Sequence, residues 1–245
     1  MTFLSIDIQE KSYAAQGKAP EHCAIRNLTF SLGDREFVCL VGPSGCGKTT
    51  LLHILAGLDR DFQGRIASDH EDPITIGYVF QQPRLLPWRT VRENIELALP
   101  SPESARALVD HLLEAMNIAV VANHYPERLS LGMSRRVALV RAFALQPTLL
   151  LMDEPFVSLD TPTARGIREL MIRVWLERPH TVLFVTHDLR EAIALADRLI
   201  FLKPPPTSVL REIAIPMDRA ERDDKTVAGF TQHLLDEYPD IRKLL

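Results

Sequence analysis

The chain has 245 residues, of which 46% are hydrophobic and 24% are charged. This composition is typical of a globular protein and excludes a largely disordered chain, and the length predicts one domain or one domain with a small appendage. The formal net charge of −4 argues against nucleic-acid binding, because nucleic-acid-binding proteins normally carry a basic surplus that pairs with phosphates.

Membrane-spanning and secreted classes are also disfavoured. No apolar run approaches the ~18 residues needed to cross a bilayer, and the segment from Met1 to Asp7 lacks the basic start of a signal peptide. The three cysteines have no metal-ligand spacing, which favours reduced thiols. We therefore expect a soluble protein, or a soluble protein that docks on another component.

The first third of the chain predicts strands followed by a helix. Strand patterns cover Phe3–Ile8 and the apolar alternation from Ile25 to Leu32, and Gly33-Asp34 is a turn signal. A buried strand is predicted at Glu36–Val41, and helical spacing predicts a helix over Thr49–Gly57.

The middle of the chain predicts mostly helix. Apolar residues at helical spacing follow Ser101-Pro102 as far as Met116, and a second helix is expected from Ser134 to about Ala144. We interpret residues from about 83 to 145 as a helical insert.

After Pro147, strands and helices alternate. The predicted strands are Leu149–Met152, Thr181–Val185 and Arg198–Leu202, and the predicted helices are Thr163–Leu176 and Leu189–Ala196. Such alternation predicts an α/β fold with a parallel sheet. The charged stretch Arg219–Leu245 predicts a peripheral helix or tail.

A glycine-rich loop lies between the third predicted strand and the first predicted helix. Residues 42–49 match the pattern G-x-x-x-x-G-K-[ST] at every fixed position. The glycines let backbone N–H groups converge on phosphate oxygens, Lys48 places a charge on the β- and γ-phosphates, and Thr49 offers its hydroxyl to Mg²⁺. The alternative is a chance glycine turn. The predicted nucleotide-binding set is Gly42, Pro43, Ser44, Gly45, Cys46, Gly47, Lys48, Thr49 and Thr50.

Two acids directly follow the apolar strand Leu149–Met152. Ligands bind at the carboxyl ends of parallel strands, so Asp153 is a candidate to hold Mg²⁺ and Glu154 a candidate general base for an attacking water. The alternative is a solvated loop with two acids; the phosphate loop upstream favours the functional interpretation.

These motifs resemble the nucleotide-binding subunit of an ATP-binding cassette (ABC) transporter, from Tyr13 to about Leu202. The resemblance implies a P-loop NTPase fold, with a parallel-sheet core, an N-terminal antiparallel β portion and the helical insert. Residues 1–215 would form the cassette domain and residues 216–245 a short C-terminal helical tail. The segment from Gln82 to Val91 and the compact tail resemble those of importers of nitrate, sulfonates, taurine, bicarbonate or related small solutes.

Two further segments in the middle of the chain resemble family motifs. Val79–Trp88 is similar to the glutamine loop, which implies that Gln81 reaches Mg²⁺ and the attacking water; the alternative is a surface amide. Leu129–Met133 stands where the family has its Leu-Ser-Gly-Gly-Gln signature, although Leu131 and Met133 replace a glycine and a glutamine. The resemblance implies that Ser130 and Gly132 contact the γ-phosphate held by a partner cassette, and the alternative for Ser130 is an ordinary helix cap.

Three other positions complete the resemblance. Ser158–Asp160 resembles the loop by which two cassettes touch. His187, at the end of a predicted strand, matches the switch histidine, which would donate to a γ-phosphate oxygen; the alternative is a structural or merely exposed histidine. Tyr13 resembles the aromatic on which adenine stacks, and the alternative is a surface residue at a strand edge.

The resemblance implies ATP hydrolysis with ATP and Mg²⁺ as ligands, and Glu154, His187 and Gln81 as catalytic residues. Thr49, Gln81 and Asp153 would hold the metal. Two cassettes would close head to tail around two ATP molecules, as a homodimer on separate integral-membrane permease subunits. A periplasmic or extracellular solute-binding protein would act indirectly, no nucleic acid would be involved, and the chain would lie peripherally on the cytoplasmic face of the cell membrane.

Three alternatives stay open on the sequence alone. The first is a soluble, non-transport ABC ATPase, which usually has paired cassettes or long coiled coils. The second is a small kinase or GTPase, against which the Ser130 and His187 segments argue. The third is a regulatory cassette that binds ATP with little turnover, a hypothesis that Leu131 keeps open.

Overall fold

The computed structural model describes residues 2–15, 21–69 and 72–244. The chain forms two compact units, which we call the first and second units. The first unit consists of residues 1–73 and 181–245, and the second of residues 74–180.

The strands and helices have the following bounds. In chain order the strands are β1 (Thr2–Tyr13), β2 (His22–Gly33), β3 (Phe37–Val41), β4 (Gln63–Ser68), β5 (Ile76–Val79), β6 (Leu149–Asp153), β7 (Thr181–Thr186), β8 (Arg198–Leu202) and β9 (Val209–Ala214). The α-helices are α1 (Lys48–Leu55), α2 (Val91–Glu96), α3 (Arg106–Ala115), α4 (Leu131–Ala144), α5 (Thr161–Glu177), α6 (Leu189–Leu195), α7 (Asp224–Glu237) and α8 (Pro239–Leu244).

The first unit contains an antiparallel sheet in the order β2-β1-β4. Along β1, Leu4, Ile6 and Ile8 are buried while Ser5 and Asp7 are exposed, the period-two pattern of a sheet with one solvated face. β1 pairs antiparallel with both neighbours, and Ile6 lies opposite Phe30 of β2 and Ile66 of β4.

The first unit also contains parallel strands. β3 pairs in parallel with β7 on one side and with β8 on the other, and β9 pairs antiparallel with β8. All residues of β3 and β7 are buried. Parallel strands are usually covered on both faces, which explains why the sequences of these two strands are almost continuous apolar runs. The glycine-rich loop directly follows the buried strand β3 along the chain.

The second unit contains a parallel pair of strands, β5 and β6, with the helices α2 to α5. Thr90 begins α2 with a complete capping box, in which its side chain and that of Glu93 each accept a hydrogen bond from the other residue's backbone N–H. Helices α4 and α5 approach closely at Gly132, where an added Cβ would lie 3.0 Å from Cγ2 of Thr163.

The α/β class, the antiparallel N-terminal portion and the parallel strands are confirmed. Predicted strands coincide with β1, β2, β3, β6, β7 and β8, although β3 begins at Phe37 rather than at the predicted Glu36, and helices occupy the predicted insert region. The charged C-terminal stretch forms the helices α7 and α8, and Leu245 lies outside the described residues. Among the described residues, no helix combines the length and apolar character required to span a membrane.

Other boundaries differ from the prediction. β4, β5 and β9 were not predicted, because β4 and β9 contain few buried residues and β5 has only four residues. The predicted start of the second insert helix at Ser134 was wrong, since α4 begins at Leu131. Ser130 caps that helix and thereby stabilises its first turn, although this turn contains Gly132, a residue of low helix propensity. The helix predicted after Ser101-Pro102 is α3, which begins about a turn later at Arg106, and the shorter α2 before it was not predicted.

Candidate functional site

The glycine-rich loop runs from the end of β3 to the start of α1. Gly45 and Gly47 have φ angles of +77° and +94°, a region that favours glycine. Gly42 is required for another reason: an added Cβ would lie 3.0 Å from Sγ of Cys46 and 3.1 Å from the carbonyl oxygen of Leu202. The three glycines therefore fix a tight loop that ends at a helix N-terminus, which favours anion binding.

Lys48 lies inside this loop. Its side chain is buried, and its Nζ atom donates to the carbonyl oxygens of Gly42 and Pro43, each over 2.9 Å. The ammonium group is thereby held within the concavity formed by the loop. A bound phosphate would offer it charged oxygen acceptors in place of neutral carbonyls, and a hydrogen bond between two oppositely charged groups is the stronger one.

Cys46 enters the predicted nucleotide-binding set through its backbone only. Its side chain is fully buried, so it fills space beneath the loop rather than facing a ligand. Its carbonyl oxygen accepts a hydrogen bond from the hydroxyl of Thr207, which lies between β8 and β9. Sequence analysis missed Thr207 because it is distant along the chain and belongs to no motif.

Tyr13 and Thr50 are brought together by the fold of the first unit. The Tyr13 hydroxyl and the Thr50 hydroxyl are 3.1 Å apart and share a hydrogen bond. The Nζ atom of Lys11 lies 4.7 Å from the Tyr13 ring centroid and is itself bound by Asp59 and Asp61. The ring is therefore tied at its hydroxyl and covered by a cation on one face, while 43% of the residue stays exposed.

His187 is an exposed residue immediately after β7. A rigid turn presents it: the Thr186 hydroxyl donates to Oε2 of the buried Glu191 over 2.6 Å and accepts from the Asp188 N–H over 3.0 Å. Asp188 also caps α6 by accepting from the N–H groups of Arg190 and Glu191. The turn that carries the imidazole is thus fixed by hydrogen bonds of Thr186, Asp188 and Glu191.

In the second unit, Asp153 is the last residue of the buried strand β6, and Glu154 follows it directly. Asp153 is buried, and burial together with the charge of Asp153 raises the pKa of the nearby Tyr78. Glu154 has a φ angle of +43°, an uncommon backbone conformation for a non-glycine residue. Gln81 Nε2 donates to Glu154 Oε2 over 3.4 Å, so the two predicted catalytic side chains of this unit lie together.

The signature segment begins α4. Ser130 Oγ accepts a hydrogen bond from the N–H of Met133 over 3.2 Å, the geometry of a helix N-cap. Ser130 and Leu131 are both exposed, whereas Gly132 is buried against α5. The structure thus explains Gly132 by helix packing, and leaves the Ser130 hydroxyl at an exposed helix N-terminus.

The segment after Glu154 also has a defined geometry. Ser158 has a φ angle of +66°, and Asp160 caps α5 by accepting from the N–H of Thr163 over 3.1 Å. Hydrogen bonds from Thr163 lower the pKa of Asp160 below its ordinary value. Arg135 of α4 donates to the carbonyl oxygen of Val157 over 3.3 Å and so ties this segment to the signature helix.

The apolar loop after Gln81 is partly exposed. Trp88 is 70% exposed, while Leu85 and Leu86 are half-buried. The buried Asn94 holds the loop, accepting from the N–H of Leu86 and donating to the carbonyl oxygens of Leu86, Arg89 and Thr90. Asn94 was missed by sequence analysis because a single amide within a short helix has no distinguishing pattern.

Comparison with known proteins identifies relatives over nearly the whole chain. The family model described as "ABC transporter" matches residues 25–157. The aliphatic sulfonates import ATP-binding protein SsuB of Bacillus licheniformis is 37% identical over 244 residues, covering 96% of this chain and 94% of that protein. The nitrate import ATP-binding protein NrtD of Synechococcus elongatus is 36% identical over 236 residues, covering 92% and 85%.

A comparison with solved structures also identifies ATP-binding cassettes as relatives. The ATP-binding cassette MJ0796, in a dimeric post-hydrolysis state bound to ADP and Pi, superposes with a TM-score of 0.75 at 32% identity, covering 88% of this chain and all of that one. A structure of cbiO1 from Clostridium perfringens, part of the transporter complex cbiONQ, has a TM-score of 0.75 at 23% identity and supports the fold alone.

Proposed function

Because the chain belongs to the ABC transporter family, we propose that it is the ATP-binding and ATP-hydrolysing subunit of a membrane importer. The observation that carries this proposal is the phosphate loop. Its glycine conformations, and the Lys48 ammonium group that its carbonyl oxygens hold, suit a nucleoside triphosphate. The similarity to import ATP-binding proteins over most of the chain favours an importer over a soluble, non-transport ATPase.

In this proposal the backbone of residues 42–50 holds the phosphates of ATP, and Lys48 neutralises the β- and γ-phosphates. The hydroxyl of Thr49, the amide of Gln81 and the carboxylate of Asp153 fit Mg²⁺ chemically, because all three offer the hard oxygen donors that this ion prefers. When bound, Mg²⁺ would neutralise charge on the transferring phosphoryl group.

The remaining residues would perform the hydrolysis. Glu154 would act as general base on the attacking water, and its hydrogen bond from Gln81 orients the carboxylate. His187 would donate to a γ-phosphate oxygen from its rigid turn. Catalysis would come mainly from positioning and charge neutralisation, as expected for phosphoryl transfer.

We further propose that two copies of the chain close head to tail, with the exposed Ser130 and the backbone N–H of Gly132, in the first turn of α4, directed at the nucleotide of the partner. The exposed N-terminus of α4 suits an anion, and a related cassette is described as dimeric. The segment Ser158–Asp160 would lie at the contact between the two copies. One chain would then lack a complete catalytic site.

The transport partner would be a separate permease, which places the chain on the cytoplasmic face of the membrane. The exposed Trp88, next to half-buried leucines, offers an apolar contact for a permease segment. A solute-binding protein would act through that permease. Sulfonates or nitrate are the proposed solute classes, since the related SsuB and NrtD proteins are import proteins for those solutes.

The test uses tagged Glu154→Gln protein in native membranes with ATP and Mg²⁺. We expect a multi-pass permease to co-purify, and the purified wild-type complex to release phosphate from ATP. Lys48→Met should abolish nucleotide binding, whereas Lys203→Met, at an exposed lysine, should not. Co-purification of ribosomal or DNA-repair proteins alone, or a complex without ATP turnover, would contradict the proposal.

A further inference from the structure

Thr207 contacts the phosphate loop from a region outside every motif. It lies between β8 and β9 and is fully buried, and its hydroxyl donates to the carbonyl oxygen of Cys46. It also packs against the last glycine of the loop, since a Cβ added to Gly47 would lie 3.3 Å from Oγ1 of Thr207.

The position of Thr207 is fixed through its own backbone. Its N–H donates to the carbonyl oxygen of Ala24 over 2.9 Å, and its carbonyl oxygen accepts from the N–H of Arg26 over 3.1 Å. These bonds form a parallel bridge opposite Ile25 of β2. The hydroxyl is thus held by a strand edge of the first unit rather than by the loop that it contacts.

The consequence for the loop follows from peptide geometry. A trans peptide group is planar, and its C=O and N–H bonds point in opposite directions. Thr207 binds the Cys46 carbonyl oxygen, so the N–H of the same peptide, which belongs to Gly47, points away from Thr207. The same loop holds Lys48 Nζ against the carbonyl oxygens of Gly42 and Pro43.

We propose that Thr207 is a positioning residue, whose hydroxyl orients the Cys46–Gly47 peptide so that the Gly47 N–H donates to a phosphate oxygen of ATP. This inference rests on the proposed nucleotide-binding function of the loop. It assigns to the β8–β9 connection a role in nucleotide affinity, in addition to its place in the sheet.

Two matched substitutions separate orientation from packing. Thr207→Val keeps the buried shape and removes the hydroxyl, whereas Thr207→Ser keeps the hydroxyl and removes the methyl group. If the hydroxyl orients the peptide, Thr207→Val weakens ATP binding by calorimetry about tenfold or more, while Thr207→Ser stays within about twofold of wild type. A purely packing role predicts the opposite order.

A second measurement reports on the peptide directly. In NMR spectra of isotope-labelled protein, the Gly47 amide proton resonance should shift when ATP is added to wild type and to Thr207→Ser. It should shift much less in Thr207→Val. If Thr207→Val does not fold, Thr207→Ser and Thr207→Ala form the replacement pair, because both lack the methyl group and only serine keeps the hydroxyl. The thermal unfolding midpoint checks that each variant is folded.

The outcomes distinguish this inference from the proposed function. Wild-type protein that binds no ATP overturns the proposed function. Wild-type protein that binds ATP, with equal affinities in both members of a matched pair, overturns the role of Thr207 alone. Weaker binding only in the variant without the hydroxyl, together with the lost Gly47 shift, supports it.

Discussion

Gln81 and Glu154 are joined by a hydrogen bond in which Nε2 of Gln81 donates to Oε2 of Glu154 over 3.4 Å. The two residues are far apart in sequence, on the segments that follow the parallel neighbours β5 and β6. A neutral amide can orient a carboxylate without exchanging a proton with it, so this hydrogen bond is compatible with the proposed role of Glu154 as general base. Glu154 also has an uncommon backbone conformation, with a φ angle of +43°.

Glu154→Gln should separate ATP binding from hydrolysis. We expect ATP turnover to fall by about 10²–10⁴-fold, because the general base is lost, while ATP affinity is retained. Size-exclusion chromatography with light scattering should then detect an ATP-dependent dimer. Glu103→Gln, at an exposed glutamate, is the matched control. A monomeric Glu154→Gln protein in saturating ATP and Mg²⁺ would contradict the closure hypothesis.

His187→Ala should lower turnover more than affinity. Removing one donor to a developing phosphate charge typically costs about 10²–10³-fold in rate. The turn that carries His187 is held by Thr186, Asp188 and Glu191, so the substitution should leave the unfolding temperature nearly unchanged. The exposed His124 supplies the control His124→Ala. Unchanged steady-state turnover in His187→Ala would leave this histidine without a catalytic role.

Ser130 can be tested by two substitutions that differ in charge and capping. Ser130→Asp keeps a good N-cap but adds a negative charge, so stability should be preserved while ATP-dependent dimerisation is lost through repulsion with phosphate. Ser130→Ala should lose about 0.5–2 kcal/mol of stability through the missing cap. Thermal unfolding and light scattering measure the two effects. Normal dimerisation of Ser130→Asp would reduce Ser130 to a simple helix cap.

Tyr13 should contribute to ATP affinity through its ring rather than its hydroxyl. Tyr13→Phe loses only the hydrogen bond with Thr50 and should bind ATP almost as wild type does. Tyr13→Ala should weaken binding by about 1–3 kcal/mol, the usual contribution of base stacking on an aromatic ring. Tyr125→Ala removes another exposed tyrosine and serves as the control in calorimetric titrations. Equal affinity of Tyr13→Ala and wild type would return Tyr13 to the strand-edge surface.

The ion pair of Glu36 and Arg198 predicts a pH dependence of stability. Burial raises the pKa of Glu36, but hydrogen bonds from Arg198 and the Gly33 N–H, with the charge of Arg198, outweigh it and lower the pKa overall. A carboxyl group with a lowered folded-state pKa stabilises the protein above its unfolded pKa of about 4.3, and this stability is lost as the pH falls through the folded value.

Glu36→Gln should therefore destabilise the protein by about 1–3 kcal/mol at pH 7 and by less below about pH 4. Urea unfolding of wild type and variant over this pH range measures the difference. Glu21→Gln, at an exposed glutamate, should show neither effect. A destabilisation of Glu36→Gln that is equal at pH 7 and pH 3 would show that shape rather than charge matters at this position.

The success of sequence analysis differed between parts of the fold for physical reasons. Buried strands such as β3 and β7 are continuous apolar runs, and the glycine-rich loop has fixed chemistry at fixed spacing, so local sequence is sufficient to predict them. Strands β4 and β9 bury few side chains and depend on pairing with a neighbour, which the local pattern does not record. The start of α4 was mispredicted because its capping residue and Gly132 precede the helical periodicity.

By itself, the sequence determined the α/β class, the phosphate loop and the candidate residues at the ends of β6 and β7, because periodicity and motif spacing are local properties. Only the tertiary structure decided that Gln81 contacts Glu154, that the Thr50 hydroxyl bonds to that of Tyr13, and that Thr207 binds the Cys46 carbonyl. These contacts join residues that are distant along the chain, and strand pairing and packing alone bring such residues within hydrogen-bonding distance.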